Sequence, residues 1–251
     1  MSNRSIKKAG SAADTPSFMY VKEIGKSVKF DIGRYERRGF PEIVLATGKT
    51  DNELLEILHR VASEGHPVVI SRIDHARANQ LIPMADIRGE FRVVERSSML
   101  FFSPEGWSPP GGKADGRVAI VTAGSSDMAV AGETIALLDM LGYSHDDYFD
   151  CGIAGMHRTV KAASEVVAGK YTVAIVFAGM EGALASVFAS LVPIPVIGVP
   201  TSTGYGFGGG GIAALNSMLQ SCIPGLVTVN IDNGVGAAAA AISIVRAARK
   251  R

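Results

Sequence analysis

The segment Arg117–Arg158 constrains the fold of this chain more than any other part of its sequence. It opens with the apolar, β-branched run Val118–Val121, which is typical of a strand buried in a parallel sheet. A turn rich in glycine and serine follows, and an amphipathic helical pattern then leads to a second short strand, predicted at Tyr148–Cys151. The pattern predicts a β-α-β unit whose polar residues lie at the carboxyl ends of strands, where open α/β sheets bind ligands.

The same alternation of strand and helix continues to the end of the chain. Three further apolar runs are typical of buried strands, and helical patterns separate them. Five strands alternating with helices predict an α/β domain over 117–251, with a doubly wound parallel sheet and right-handed crossovers. The three runs are Thr172–Phe177, Pro195–Val199 and Leu226–Ile231, and the helices that follow the first unit are Arg158–Val167, Glu181–Leu191, Ile212–Gln220 and Gly234–Ala248.

A smaller α/β domain is predicted ahead of this one, over residues 18–102. The amphipathic helix Asn52–Ala62 and the apolar strand Pro67–Ser71 are its clearest elements. Residues 1–17 are small and polar without periodicity, so we expect a disordered arm there. Residues 103–116 are dense in proline and glycine, which predicts the linker between the two domains.

Composition argues against several classes of protein. The 251 residues include 25 lysines and arginines and 24 acidic residues, a net charge of +1, so no overall field favours nucleic acid. The two cysteines cannot build a disulfide framework, and the sequence starts without the apolar core of a signal peptide. No apolar run reaches the ~18 residues of a membrane span. We therefore expect a soluble cytoplasmic protein without a nucleic-acid or membrane partner.

The turn after the Val118–Val121 strand is the first candidate ligand site. It runs from Thr122 through Gly124, Ser125 and Ser126 to Asp127. A glycine–serine turn at a helix start presents free backbone N–H groups, hydroxyls and the positive helix end to an anion. The acid is also a good helix cap, so simple capping stays open as an alternative.

Two later turns carry ionisable side chains. His157 and Arg158 follow the second strand; a lone histidine is more often structural than catalytic, whereas an arginine at a strand end fits a phosphate or carboxylate. Glu181 follows the third strand, between Met180 and Gly182. It is either a first-turn helix acid stabilised by the helix dipole or a general base beside an active site.

The loop Pro200–Gly211 is the most glycine-rich segment of the chain. Six of its last eight residues are glycine, starting with Gly204. Such a backbone is costly to order unless it must approach a ligand or another chain closely. Thr203 lies just before the glycines, and Asp232 and Asn233 end the last strand at the same predicted edge. The loop therefore indicates a site or an interface.

The two cysteines lie in different contexts. Cys222 stands at a helix end, before a proline and among turn residues, whereas Cys151 stands at the end of an apolar strand. A buried, structural cysteine is the default interpretation for both. The turn context favours exposure of Cys222 to a cleft, and we expect Cys151 to be the more inert.

Several motifs taken together resemble one family. The segments FDIGRYERRGFPEIVLATGKT, TAGSSD, GIAGMHR, AGMEGAL, PTSTGYG, SCIPG and VNIDNGVGAA occur in this order. They resemble the aminoimidazole ribonucleotide carboxylase/mutase family, and more closely its relative with an extra N-terminal domain, the nickel-pincer cofactor biosynthesis carboxylase/hydrolase of the lactate racemase system. The resemblance covers Val28 to Ala241. It implies a flavodoxin-like sheet and a homo-oligomer, since related carboxylases form octamers.

The resemblance also implies a reaction. Members of that family carboxylate the pyridinium ring of nicotinic acid adenine dinucleotide and hydrolyse its phosphoanhydride. The products are pyridinium-3,5-biscarboxylic acid mononucleotide and AMP. Carbon dioxide or bicarbonate is the co-substrate, and the hydrolysis depends on a divalent cation, here expected to be Mg²⁺. The sequence does not identify the ligands of the Mg²⁺ ion. Asp232 is one candidate ligand.

Roles in the chemistry follow from the same resemblance. Cys222 matches the family cysteine and would add to the electron-poor ring, because a thiolate is a good nucleophile and leaves readily. Glu181 would then remove the ring proton. His157 and Asp127 are secondary candidates for moving protons or positioning carbon dioxide.

A larger group of residues would bind the dinucleotide. Ser125, Ser126 and Arg158 would hold the phosphate nearer the pyridinium. The turn Ala46–Thr50 lacks the leading glycine expected in the family. The resemblance therefore assigns Lys49 no defined role in binding the adenylate half of the dinucleotide. The expected binding residues are Thr122, Gly124, Ser125, Ser126, Arg158, Met180, Gly182, Thr203, Gly204, Asp232 and Asn233.

Two alternatives to that reaction stay open. A purine-pathway aminoimidazole ribonucleotide carboxylase or mutase predicts no need for Cys222 and no N-terminal domain. A non-catalytic nucleotide-binding or regulatory module would explain the glycine loops. It would not explain why Cys222, Glu181 and His157 are expected at one sheet edge.

Overall fold

The structure is a computed structural model, and it describes residues 21–24, 28–31, 34–94, 97–109 and 116–249. The arm predicted at 1–17 lies outside these ranges. Among the helices of the described ranges, none is long and apolar enough to cross a membrane.

The N-terminal part of the chain forms two small sheets. Strands β1 (Val21–Ile24) and β2 (Val28–Asp31) pair antiparallel and are followed by the short helix α1 (Arg34–Arg38). A four-stranded sheet follows, in the spatial order β3-β4-β6-β5, with β3 parallel to β4 and the other pairs antiparallel. Its elements are β3 (Glu42–Leu45), α2 (Asp51–Ser63), β4 (Val68–Ser71), α3 (His75–Ala85), β5 (Gly89–Val94) and β6 (Met99–Pro104).

Helix α2 shows how this part of the sequence specifies its structure. Thr50 and Glu53 form a reciprocal capping box at its N-terminus, which satisfies backbone donors that the helix cannot pair. The buried side chains Leu54, Leu58 and Val61 recur at helical spacing and pack on the four-stranded sheet. The predicted helix Asn52–Ala62 is therefore present and one residue longer at each end.

The C-terminal part forms the predicted doubly wound sheet. All five strands are parallel, in the order β11-β10-β9-β7-β8, and helices cover both faces. This is the flavodoxin-like order 2-1-3-4-5, so the predicted fold class is confirmed. The elements are β7 (Arg117–Thr122), α4 (Met128–Met140), β8 (Ser144–Tyr148), α5 (Met156–Ala168), β9 (Val173–Ala178), α6 (Ala183–Leu191), β10 (Val196–Pro200), α7 (Ile212–Leu219), β11 (Leu226–Thr228) and α8 (Gly234–Arg249).

Burial explains why some strands were predicted well. The apolar residues of β7, β9 and β10 are almost entirely inaccessible, as expected for central parallel strands between two helical layers. Helices α4 and α8 cover one face of the sheet, and α5, α6 and α7 cover the other. A separate apolar cluster of Val69, Met99, Phe101, Ala136, Leu137 and Ala238 joins the N-terminal sheet to α4 and α8.

Three predicted boundaries were wrong. Strand β8 is Ser144–Tyr148, not Tyr148–Cys151, because an edge strand pairs on one side only and tolerates the polar sequence SHDDY. Strand β11 ends at Thr228 and not at Ile231. Helix α6 starts at Ala183, so Glu181 precedes the helix and does not belong to its first turn.

Candidate active site

A cavity of about 250 Å³ lies at the carboxyl ends of the central strands. The strand order reverses between β7 and β9, because the connections from these two strands run to opposite sides of the sheet. Sheets of this kind bind ligands at that point. The loops after β7, β8, β9 and β10 all contribute. The lining residues are Ala123, Gly124, Ser126, Asp127, Gly152, Ile153, Ala154, Ala178, Gly179, Met180, Glu181, Ala183, Leu184 and Thr203.

Asp127 is the buried acid of this cavity. Its side chain does not cap α4 itself, but it caps the 3-10 turn Ser125–Asp127 that leads into α4, so the capping interpretation holds for that turn. One carboxylate oxygen accepts the backbone N–H of Gly124 at 2.8 Å, and the other accepts the Thr201 hydroxyl at 2.6 Å. Burial raises the pKa of the Asp127 carboxyl, although hydrogen bonds from Thr201, Gly124 and Gly179 oppose the shift. A carboxyl in this state is suited to holding a proton.

Glu181 is the exposed acid of the same cavity. It lies in a turn whose flanking residues both have left-handed backbones, Met180 with φ 51° and Gly182 with φ 69°. The carboxylate is solvent-accessible, so a bound molecule can reach it. Of the two sequence interpretations, a first-turn helix acid does not fit this position, whereas a base beside the cavity does.

Two glycines allow the turn of Glu181 to pack against its neighbours. A Cβ at Gly179 would stand 2.2 Å from the Thr203 carbonyl oxygen, and a Cβ at Gly182 would stand 2.8 Å from that of Ala214. The backbone N–H of Met180 donates to the Thr203 carbonyl at 2.9 Å. The turn after β9 and the loop after β10 are therefore in direct backbone contact, which only residues without a side chain permit.

The glycine-rich loop after β10 is anchored at its start. Thr201 is fully buried, and the backbone N–H of Ser202 donates to Asp232 Oδ1 at 2.8 Å. Asn233 accepts the backbone N–H of Gly236 at 2.8 Å and so supports the first turn of α8. Gly204, with φ 145°, lies against Met180. Asp232 and Asn233 thus hold main-chain segments at this edge.

The histidine–arginine turn lies beside the cavity. His157 is exposed in the first turn of α5, and Arg158 forms an ion pair with Asp150. Neither side chain lines the cavity, although Gly152, Ile153 and Ala154 just before them do. Thr122 is fully buried, and its hydroxyl oxygen accepts the backbone N–H of Asp150 at 3.2 Å. Of the two serines in the first turn, Ser126 lines the cavity and Ser125 does not.

The two cysteines differ as the sequence predicted. Cys222 is exposed and Cys151 is buried, and burial raises the pKa of the Cys151 thiol, which keeps it protonated and inert. Cys222 lies in the loop between α7 and β11 and is not among the residues that line the cavity. The residue before it, Ser221, accepts a hydrogen bond from Ser186 Oγ of α6 at 2.8 Å, so the loop of Cys222 packs beside the helix that begins two residues after Glu181.

Sequence reasoning missed three residues near this edge. Thr201 binds Asp127, Glu133 is a buried acid of α4, and Arg72 reaches across from the N-terminal sheet. Glu133 carried a detectable signal, since it is an acid in the otherwise apolar helical segment MAVAGETIALL. The partners of Thr201 and Arg72 are distant in sequence.

The described residues do not assemble a protein cage for a divalent cation. Within those ranges, no group of three or more histidine, cysteine, aspartate or glutamate side chains lies close enough to hold a metal ion. Asp232, the candidate ligand, uses one carboxylate oxygen for the Ser202 N–H. No step of the proposed mechanism is assigned to a metal.

Comparison with known proteins identifies the family. The AIR carboxylase family model matches residues 117–251, and a LarB/PurE-like N-terminal domain matches residues 21–95. An uncharacterized protein of Methanocaldococcus jannaschii is 38% identical over 220 residues, which is 87% of this chain and 84% of that protein. N5-carboxyaminoimidazole ribonucleotide mutases from M. jannaschii and Pyrococcus horikoshii are each 34% identical over 51% of this chain, covering 78% and 71% of their own lengths. The chain therefore belongs to the AIR carboxylase family, as a carboxylase-type member with a LarB/PurE-like N-terminal domain.

Proposed function

We propose that this protein carboxylates the pyridinium ring of nicotinic acid adenine dinucleotide and hydrolyses its phosphoanhydride, giving pyridinium-3,5-biscarboxylic acid mononucleotide and AMP. The observation that carries the proposal is the domain combination. A LarB/PurE-like N-terminal domain precedes the carboxylase domain, whereas the mutase relatives match only half of this chain.

The chemistry requires that an electron-poor ring become a nucleophile. The Cys222 thiolate adds to the ring carbon para to the nitrogen, which leaves a dihydropyridine with an enamine carbon next to the new C–S bond. That carbon attacks carbon dioxide and forms the C–C bond. A base then removes the proton from the same carbon, the electron pair restores aromaticity, and the C–S bond breaks to release the thiolate.

We assign the base of these reaction steps to an acid that lines the cavity. Glu181 is exposed at its wall and is assigned to accept the ring proton. Asp127, buried nearby with a raised pKa, is assigned to hold a proton beside the carbon dioxide. Ser126, at the N-terminal end of α4, is assigned to the phosphate next to the pyridinium, where helix N–H groups favour an anion. Ser125 and Arg158 are assigned to the same phosphate, since they lie within a few residues of Ser126 and Ala154, which line the cavity.

The position of Cys222 bears on where this reaction takes place. The thiol is exposed, and the preceding residue, Ser221, contacts Ser186 of α6, the helix that follows the turn of Glu181. We therefore place the reaction between the loop of Cys222 and the turn of Glu181. The homo-oligomer, an octamer, that the family resemblance implies is part of the proposal, with sites shared at its interfaces.

Mass spectrometry of the products tests this function. The protein is incubated with nicotinic acid adenine dinucleotide, bicarbonate and Mg²⁺, and the carboxylated mononucleotide and AMP are expected. Cys222→Ala should yield no carboxylated product, whereas Cys151→Ala, which changes a buried thiol, should keep the product. Carboxylation that persists in Cys222→Ala would rule out the covalent mechanism.

A second candidate function is supported by the mutase relatives. Their 34% identity over the carboxylase domain favours chemistry on aminoimidazole ribonucleotide. The same preparation is therefore also incubated with aminoimidazole ribonucleotide and bicarbonate, and with the N5-carboxylated ribonucleotide. Turnover of these substrates alone would favour the purine reaction over the pyridinium reaction.

A further inference from the structure

We infer that Arg72, at the end of β4 in the N-terminal sheet, is a positioning residue for the candidate active site. It holds the start of the glycine-rich loop through Asp232 and thereby fixes the place of Asp127. The effect expected on turnover rests on the proposed function. The effect expected on the loop itself does not.

Arg72 contacts the carboxylase domain at two points. Its Nη2 donates to the backbone carbonyl of Asp232 at 3.0 Å, and its Nε stands 3.9 Å from Glu133 Oε1. The backbone of Arg72 is left-handed, with φ 58°, at the point where β4 ends. The side chain is half-exposed, so it crosses between the two domains without being part of either core.

Glu133 is the anionic partner that holds the guanidinium in place. It is only 6% exposed, and the backbone N–H groups of Val235 and Gly234 at the start of α8 donate to it. Burial raises the pKa of the Glu133 carboxyl to about 7; Arg72 opposes that shift and Asp232 reinforces it. The ion pair with Arg72 is therefore present when Glu133 is ionised and is lost as the pH falls below about 7.

Asp232 connects Arg72 to the glycine-rich loop after β10. Its backbone is also left-handed, with φ 52°, and its N–H donates to the Pro200 carbonyl at 2.9 Å. Its side chain accepts the Ser202 N–H at 2.8 Å. The carbonyl that Arg72 binds and the carboxylate that binds Ser202 thus belong to one residue.

Three consecutive residues then connect this contact to the cavity. The Thr201 hydroxyl binds Asp127, Ser202 binds Asp232, and the Thr203 carbonyl accepts the Met180 N–H. A shift of Asp232 moves Ser202 and therefore its two neighbours in the chain. These are Thr201, whose hydroxyl donates to Asp127, and Thr203, whose carbonyl accepts the Met180 N–H. The N-terminal domain therefore acts on the candidate acid through three hydrogen bonds that the covalent chain of Asp232 and of residues 201–202 connects.

A second ion pair between the domains provides a matched control. Arg92 Nη2 stands 3.9 Å from Asp139 Oδ2, and the exposed fraction of the Arg92 side chain is 55%, against 50% for Arg72. Neither Arg92 nor Asp139 touches the loop or the cavity described above. Arg92→Gln removes a similar charge from the same domain boundary without touching Asp232.

Hydrogen exchange measures the loop directly. In Arg72→Gln, peptides covering residues 201–204 and 179–181 should exchange about tenfold faster or more, because the Ser202 and Met180 N–H groups lose fixed acceptors. In Arg92→Gln the same peptides should match the wild type. Arg72→Lys keeps the charge but lacks the planar guanidinium, so its exchange should fall between those of Arg72→Gln and the wild type. Wild-type exchange in Arg72→Gln would overturn the inference.

Turnover separates positioning from a purely structural role. With nicotinic acid adenine dinucleotide, Arg72→Gln should lower kcat about tenfold while KM changes less than about threefold, since the acid is displaced but the cavity remains. Wild-type kcat should rise with pH through about 7 as Glu133 ionises, and Glu133→Gln should lose this rise. An unchanged kcat in Arg72→Gln would count against positioning. A wild type that leaves the dinucleotide untouched would refute the proposed function and leave the exchange result standing.

Discussion

The Thr201 hydroxyl donates to Asp127 Oδ1 at 2.6 Å, and both residues are buried although 74 positions separate them in the chain. This bond joins the loop after β10 to the turn after β7 across the intervening strand β9. It fixes one oxygen of the carboxylate, while Gly124 fixes the other. The acid of the cavity therefore has a single defined orientation before any ligand binds.

Removing the Thr201 hydroxyl should destabilise the protein. Thr201→Val keeps the shape of the side chain but leaves a buried carboxylate oxygen without its donor, which costs about 1–3 kcal/mol. Thr201→Ser retains the hydroxyl and should remain closer to the wild type. Urea denaturation gives the free energy of unfolding for both. Equal loss in the two variants would show that packing of the methyl group, and not the hydrogen bond, matters at this position.

Gly179→Ala should disturb the cavity more than a glycine substitution elsewhere in the same loops. The new Cβ would meet the Thr203 carbonyl at 2.2 Å and force apart the backbones after β9 and β10. We expect a loss of about 1–3 kcal/mol in unfolding free energy, typical of overpacking, together with loss of carboxylation. Gly209→Ala, whose nearest contact would be 3.4 Å, is the control and should be close to neutral. Similar stability of the two variants would contradict the close approach.

Glu181→Gln should separate catalysis from stability. The side chain is exposed, so the free energy of unfolding should change by less than about 0.5 kcal/mol. Removal of the base should lower carboxylation of the dinucleotide by about a hundredfold or more. Glu165→Gln, at an exposed position of α5, controls for loss of surface charge. Product formation by Glu181→Gln at the wild-type rate would remove Glu181 from the mechanism.

His145 should make stability depend on pH away from the cavity. Its ring nitrogens bind Asp147 at 2.9 Å and Asp139 at 3.0 Å, and the hydrogen bond to Asp147 is the largest cause that raises the pKa of His145 to about 9. Because the folded pKa lies above the ordinary 6.5, the stabilisation is complete below that pH and is lost as pH rises through about 9. His145→Gln should therefore cost about 2–3 kcal/mol at pH 6 and much less at pH 10. A cost that does not vary with pH would contradict the charged interaction.

The fold was predictable where burial is symmetrical. Strands β7, β9 and β10 are buried on both faces, so their sequences are continuous apolar runs. Such runs can be recognised directly in the amino-acid sequence. Strand β8 lies at the sheet edge, and its polar sequence gave no such signal. The prediction moved that strand to the more apolar residues ending at Cys151, which in fact enter the following turn.

The candidate site was predictable only in its local parts. Gly124–Asp127 and Glu181 could be found because a turn is specified by the types of a few adjacent residues, such as glycine, serine and aspartate. The Arg72–Asp232 contact joins residues 160 positions apart, and nothing in the local sequence of either predicts the other. The role proposed for Cys222 rests on the family resemblance, since the structure shows only that this cysteine is exposed.

The two edges of the five-stranded sheet also limit how copies of this chain can associate. Strand β8 presents the charged sequence SHDDY along one edge, and β11 offers only three residues on the other. Charged and very short strands are poor templates for strand addition, so neither edge invites a second chain to extend the sheet. An association between copies would therefore have to use helix surfaces and loops, and the backbone of the parallel sheet is kept from acting as a template for aggregation.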